Sequence, residues 1–221
     1  MEENCWASLI QTTTDDVKRL TAVVRYSSIP VAVYENVAEH SFWVSLYAIM
    51  IAKTLGADRD VQGQVALFGT LHDLAECVTG DVVRPFKYSS QEFKKAVDQA
   101  EASMVEKLPS EVSSLMSNMD EIRSEYVRAI VKAADWLSVY QYMRREASRG
   151  NLEIIPFFMR MVKDLESTVK ENEDKKVQLH VGADDFLPAN FYHALWSMAL
   201  LVADDCFGDR ARPGSRWMRD V

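Results

Sequence analysis

NVAEHSFWVSLYAIMIAKTLG, residues 36–56, is the stretch whose reading decides the fold class. Asn36, followed three residues later by Glu39, makes a capping box and starts a helix near Val37. Apolar residues then recur on several sides (Val44, Leu46, Ile49, Ile51), without strand-like alternation, as far as Leu55. Gly56 supplies the stop. A helix that is apolar nearly all round is expected at the centre of a packed domain.

The rest of the chain repeats this helical periodicity, and its 8 glycines and 6 prolines leave little room for turn-rich β structure. The expected class is all-α. Thr14–Arg25 reads as a first helix, with Val17, Leu20 and Val24 on one face. Asp60 is the expected cap of a helix running from Val61 to about Cys77, broken by Thr79-Gly80-Asp81. Pro85 is expected to keep the next loop extended. Ser89 with Glu92 predicts a helix that ends before Pro109. A long helix, about Ile122 to Ser148, ends at Gly150-Asn151. Pro156 fits the first turn of a charged helix reaching about Asn172, and Glu171–Lys176 reads as a solvated end. A last helix, Pro188 to Phe207, is closed by Gly208.

One domain over 1–221 is expected: a motif core at about 20–151, C-terminal helices at 152–207 and a basic tail at 208–221. That tail, with Arg210, Arg212, Arg216, Arg219 and Trp217, reads as a docked segment or subunit contact, and a homo-oligomer, dimer or higher, is the expected assembly.

The net charge of −8 argues against a nucleic-acid polymer as partner, because phosphate neutralisation needs a basic surface. It leaves room for a small anion in a local basic pocket. Cys5, Cys77 and Cys206 are odd in number and far apart, which points to a reducing compartment without a disulfide framework. The first residues, MEENCWASLI, lack a basic segment followed by an apolar one, and no apolar run nears the roughly 20 residues of a membrane span. No membrane partner and a cytoplasmic location are expected.

The chemistry-bearing residues sit in apolar surroundings. Alone, His40 reads as a core or cap-region histidine. A second stretch, HDLAECVTGD at 72–81, adds His72 and Asp73 at the end of an apolar helix, and Asp135 stands mid-helix in VKAADWLSVY. Buried carboxylates are costly unless paired or bound to a metal. His40, His72, Asp73 and Asp135 therefore read either as a divalent metal site with open positions or as two histidine–acid pairs. Glu76 lies one helical turn beyond His72 and Asp73, where a general acid/base can stand beside an ion; as a lone residue it would be a surface glutamate. Arg25, Arg84, Lys87 and Lys132 are candidates to meet phosphate, each otherwise a solvated cation.

In order along the chain, RY (25–26), ENVAEHS (35–41), HDLAECVTGD (72–81), PFKY (85–88) and KAADWLSVY (132–140) resemble the bacterial 5′-deoxynucleotidase family of HD-domain metal phosphohydrolases. Phage HD enzymes that hydrolyse dATP share much of the set. The resemblance spans about Leu20 to Asn151 and implies the helical HD bundle, with its metal site between central helices. It implies one divalent ion (Co, Mn, Mg or Zn) on His40, His72, Asp73 and Asp135, with Glu76 as the catalytic acid/base and Arg25 orienting a phosphate. Asp81 and its neighbours would contact the sugar or base. The implied substrate is a small 2′-deoxynucleotide, most directly a deoxynucleoside 5′-monophosphate. A deoxynucleoside triphosphate hydrolase and a non-catalytic nucleotide-binding regulator are the other two readings. Two positions depart from the family's pattern: Tyr26 stands where tryptophan is usual, which bears on sugar discrimination. Arg84 stands where a small hydroxyl residue is usual, which bears on the number of phosphates accepted.

Overall fold

The structure is a computed structural model that describes residues 17–87, 89–107, 113–114, 125–174, 180–181, 185–186, 191–213, 215 and 218. Its helices are α1 (Val37–Thr54), α2 (Arg59–Leu71), the short α3 (Glu76–Thr79) and α4 (Arg84–Lys87), α5 (Gln91–Val105), α6 (Glu125–Ser148), α7 (Ile155–Asp174) and α8 (Phe191–Phe207). Short 3₁₀ turns at Lys18–Thr21 and Gly208–Ala211 bracket them. The all-α expectation holds. A two-residue antiparallel ribbon, His180–Val181 against Asp185–Phe186, is the sole named strand pair among the described residues.

Several boundaries differ from those expected, each for a local reason. Helix α1 starts as read: the Asn36 side chain accepts the Glu39 N–H at 2.9 Å, and Gly56 takes φ 80° after its end. Asp58, not Asp60, caps α2 by accepting the Val61 N–H, and Ser90, not Ser89, caps α5 by accepting from Phe93. Helix α2 stops at Leu71, and the chain continues through a tighter turn before α3. Pro85 lies inside the first turn of α4, where its missing N–H has no helical partner to lose, so that segment is helical rather than extended. The expected first helix is 3₁₀ only to Thr21; Val24 instead forms an isolated bridge with Asn36. Its start at Thr14, the start of the long helix at Ile122, and Pro188 lie outside the described residues.

Three apolar clusters surround the functional region. Val44, Ala48, Val65, Ile130 and Ala134 join α1, α2 and the first half of α6. Tyr140, Met143, Phe158, Leu165, Ala199 and Phe207 join the second half of α6 to α7 and α8, and Met218 of the tail packs against them. Leu20, Val37, Leu74, Cys77 and Met104 form the third. Helix α6 thus runs through the middle of the molecule. Helix α1, expected at the centre because it is apolar nearly all round, is buried on one face only: Val44 and Ala48 are buried, while Phe42, Leu46 and Met50, spaced one turn apart, stay exposed.

Helices α1 and α2 touch backbone to backbone. A Cβ on Gly69 would lie 2.7 Å from Ser45 Cα, so only glycine fits there. Ser45 Oγ donates to the Ala66 carbonyl at 2.9 Å across the same seam. Among the described residues, no helix is long and apolar enough to cross a membrane.

Candidate active site and metal centre

His40 stands in the first turn of α1 and is fully buried. Its Nδ1 lies 3.1 Å from Ser138 Oγ on α6, which leaves Nε2 facing the centre of the site. His72 is the residue that ends α2. Its Nδ1 donates to the Gly69 carbonyl at 2.8 Å, so its Nε2 is also turned inward with a free lone pair. Histidine ligands use this arrangement: one ring nitrogen is fixed by an oxygen, the other is presented to an ion.

Beyond His72 the backbone tightens. Leu74, Glu76 and Cys77 donate to Leu71, Asp73 and Leu74 at 3.0–3.2 Å, each three residues back. With about three residues per turn, side chains three apart eclipse. Asp73 and Glu76 therefore share a direction, and Leu74, 2 % exposed, anchors the turn in the third apolar cluster.

The inward atoms converge. Asp73 Oδ2 lies 3.1 Å from His72 Nε2 and 3.6 Å from His40 Nε2, and Asp135 Oδ1 lies 3.4 Å from His40 Nε2. One ligand atom from each of His40, His72 and Asp73 falls within 4.8 Å of the other two. Yet both Nε2 atoms are buried without a hydrogen-bond partner, as is Glu76 Oε2. Each such atom costs about 1–3 kcal/mol if left unmet. The two nitrogens and the Asp73 carboxylate are close enough together to fit a divalent metal ion, which resolves that cost; Asp135 lies beside His40 but outside that group of three.

The electrostatics of His40, Asp73 and Asp135 agree with this donor set, whereas His72, against the effect of burial, is drawn toward its charged form by Asp73 when no ion is present. Burial, with Arg25 nearby, lowers the His40 pKa to about 4, so its ring is neutral and able to ligate. Against the opposing effect of burial, Asp73 raises the His72 pKa, while His72 and His40 hold Asp73 at about 2. Asp135 is also held well below its usual range; burial works against this, and Lys132 and the two histidines outweigh it. Glu76 goes the other way. Burial first, then the charges of Asp73 and Asp81, push it up to about 9.

The expected substrate residues divide. The Arg25 side chain, 13 % exposed, donates through Nη1 to Glu35 Oε1 at 2.9 Å and sits 4.9 Å from the Tyr26 ring centroid. Tyr26 has a left-handed backbone (φ 59°), unusual for a residue with a side chain, and its N–H donates to Asp81 Oδ2 at 3.2 Å. Its ring stacks on Tyr142 at 4.4 Å, and its hydroxyl is buried with no partner. Lys87 pairs with Glu101 at 2.8 Å and Lys132 with Asp135 at 2.6 Å, so both cations face carboxylates. The Arg84 side chain lies outside the described residues.

Sequence reading overlooked a second set. Ser138, Tyr142 and Glu146 continue from the already expected Asp135 at spacings of 3, 4 and 4 along α6 and form one polar face with it. Below His40, the Tyr142 hydroxyl donates to the Val33 carbonyl at 2.8 Å. The buried Glu146 carboxylate accepts from Ala32 N–H at 2.6 Å, Val33 N–H at 3.0 Å and Asn151 Nδ2 at 2.6 Å. The loop between Arg25 and α1 is thereby bolted to α6. The helical spacing was visible in the sequence; the loop partners were not.

Comparison with known proteins follows the geometry. The model of the YfbR-like 5′-deoxynucleotidase family matches residues 14–189. A 5′-deoxynucleotidase of Enterobacter sp. (strain 638) is 35 % identical over 156 residues, covering 66 % of this chain and 78 % of that protein. One from Pectobacterium atrosepticum is 33 % identical over 159 residues, covering 68 % and 80 %. Among solved structures, the cyanophage S-2L HD phosphohydrolase DatZ, bound to dA and one catalytic Zn²⁺ ion, superposes with a TM-score of 0.55 at 20 % identity. It covers 87 % of this chain and 96 % of its own, a likeness of fold.

Proposed function

The chain belongs to the YfbR-like 5′-deoxynucleotidase family, and on that premise we propose which residues carry out the reaction. The protein is a metal-dependent phosphohydrolase of 2′-deoxynucleotides, converting a deoxynucleoside 5′-monophosphate and water to the deoxynucleoside and phosphate. The observation that carries the assignment of roles is the approach of one ligand atom each from His40, His72 and Asp73 to within 4.8 Å of one another.

His40, His72, Asp73 and Asp135 would hold the ion. When bound, a divalent ion supplies Lewis-acid polarisation of the phosphoryl group and a lowered pKa for water. The imidazole pair favours a transition ion (Zn²⁺, Co²⁺ or Mn²⁺) over Mg²⁺. Arg25 orients the phosphate, since a guanidinium fork matches phosphate oxygens. Glu76 moves the proton. Burial and the neighbouring acids Asp73 and Asp81 push its carboxyl up in the metal-free protein, which favours a protonated group that can deliver its proton to the departing 5′ oxygen. Tyr26 and Asp81 stand on the sugar side; with the Tyr26 ring held between Tyr142 and Arg25, an aromatic edge near the 2′ position accepts a CH₂ and leaves a hydroxyl without a partner. The pairing of Lys87 and Lys132 with carboxylates supports one phosphate rather than three.

We also propose that residues 1–221 act as one domain, in the cytoplasm, as a homo-oligomer; the exposed Phe42, Leu46 and Met50 face of α1 makes sedimentation the measurement to make.

The test of the function is a panel of dNMP, dNDP, dNTP and rNMP with metal-stripped protein and added Zn²⁺, Co²⁺, Mn²⁺ or Mg²⁺, products resolved by chromatography. Deoxynucleoside and single phosphate from dNMP are expected. Triphosphate released from dNTP, with dNMP untouched, would overturn the monophosphate reading.

A further inference from the structure

We infer that Glu35 is a positioning residue for the reaction, acting by fixing the guanidinium of Arg25; this rests on the reading that Arg25 orients the phosphate. Glu35 is 3 % exposed. A carboxylate that deep is costly unless it is paired or fully hydrogen-bonded, and here a cation meets it. Its Oε1 accepts from Arg25 Nη1 at 2.9 Å, and its backbone carbonyl accepts the Arg25 N–H, also at 2.9 Å. The grip is continued on both sides by the Val24–Asn36 bridge and by Val37 N–H donating to the Val23 carbonyl at 3.0 Å. One residue thus fixes both the root and the tip of the arginine.

The contact geometry separates this role from its neighbours. Among the described residues, Glu35 is the sole hydrogen-bonded partner of the Arg25 side chain, and it engages a single nitrogen. A two-pronged pairing would occupy the edge of the fork that a phosphate needs; a single bond at Nη1 leaves the other donors for the substrate. Glu35 Oε2 lies 3.8 Å from Arg145 Nη2, so a second guanidinium flanks the carboxylate from α6. His40 Nδ1 is 3.9 Å from Oε1 and is bonded instead to Ser138, so Glu35 does not set the metal ligand.

The experiment is a double-mutant cycle of Glu35→Gln and Arg25→Ala, with steady-state kinetics on a deoxynucleoside monophosphate, metal content and helical circular dichroism for each protein. Glu35→Asp, which keeps the charge and withdraws it by one methylene, is the second variant. A misplaced phosphate group costs on the order of 100-fold, so Glu35→Gln is expected to lose about 10- to 100-fold in kcat/KM, mostly in kcat, with metal content unchanged. In the Arg25→Ala background the same change is expected to cost less than about 2-fold, because the group it acts through is gone. Equal losses in both backgrounds, or parental activity in Glu35→Gln and Glu35→Asp, overturn the inference while the loss in Arg25→Ala leaves the phosphate arginine standing. Full activity in Arg25→Ala overturns that reading and the inference with it. Loss of metal, or failure of both Glu35 variants to fold, assigns Glu35 elsewhere and also overturns it.

Discussion

Two glycines on α2 are predicted to respond to alanine with opposite signs. Gly63 has nothing within 4 Å of a would-be Cβ, and Gly69 has Ser45 Cα at 2.7 Å and Ser45 N at 2.9 Å. Alanine in a helix interior gains about 0.5–1 kcal/mol over glycine. Gly63→Ala should therefore stabilise by roughly that amount. At Gly69 the same gain is opposed by overpacking, which costs about 1–3 kcal/mol and more when the obstacle is backbone. Bringing 2.7 Å up to the 3.4 Å edge of ordinary contact needs a displacement of 0.7 Å. Helices packed against α6 as well as against each other do not yield that freely. The expected net effect is a loss of about 1–2 kcal/mol. The carbonyl of Gly69 holds His72 Nδ1, so the shift reaches the metal site too. Loss of a partner oriented in this way costs about 10- to 100-fold in metal affinity. Urea unfolding gives the stability change, and titration of metal-stripped protein gives the affinity. A Gly69→Ala protein as stable as the parent, with unchanged affinity, would refute the close-contact account.

Glu76→Ala is expected to keep metal and nucleotide while losing about two to four decades in kcat, the scale of a general acid/base; turnover at the parental rate would return Glu76 to a structural role. Chelation should lower the unfolding temperature, and metal at 100 times its Kd should restore about 2.7 kcal/mol. In Asp73→Ala and Asp135→Ala that restoration and turnover should both be absent, and either variant regaining full activity on metal return would remove its carboxylate from the ligand set. Matched deoxy and ribo monophosphates compared by kcat/KM should favour the deoxy form, and equal values would dismiss the sugar-side role proposed for Tyr26. That comparison belongs on the parent protein, because Tyr26→Ala removes a ring stacked on Tyr142 and would cost about 3–5 kcal/mol of stability by the measure of buried aromatics.

Much of the scaffold was legible because its signals are local. The Asn36 cap and the stops at Gly56 and Gly150 depend on a few neighbouring residues, and they fall where read. The metal-site candidates were legible because charged residues are conspicuous in apolar runs. Choices between near-equivalent caps were not: Asp58 and Asp60, or Ser89 and Ser90, are chemically alike, and packing selects the phase. The break at His72 was also hidden, since Leu71, His72 and Asp73 have no glycine or proline among them. The eclipsed Asp73–Glu76 alignment follows from that break rather than from a continued helix. Ser138 and Glu146 were missed because their partners are distant in sequence: 98 residues separate His40 from Ser138, and 114 separate Ala32 from Glu146. Glu35 was missed although Arg25 is 10 residues away, because no local signal marks the chain reversal that pairs them.

The polar face of α6 has a consequence for how this chain can tolerate change. Asp135 and Ser138 attend to the metal side, while Tyr142 and Glu146 bolt down the loop that leads from Arg25 to α1. One uninterrupted helix therefore acts as a gauge between the two halves of the site, about 16 Å from Asp135 to Glu146 at 1.5 Å per residue. A substitution between them alters one contact. A one-residue insertion or deletion would turn everything downstream by about 100° and carry Tyr142 and Glu146 off the loop together. A change in chain length is therefore expected to be tolerated only in the segments flanking α6, where it leaves the phase of the helix untouched.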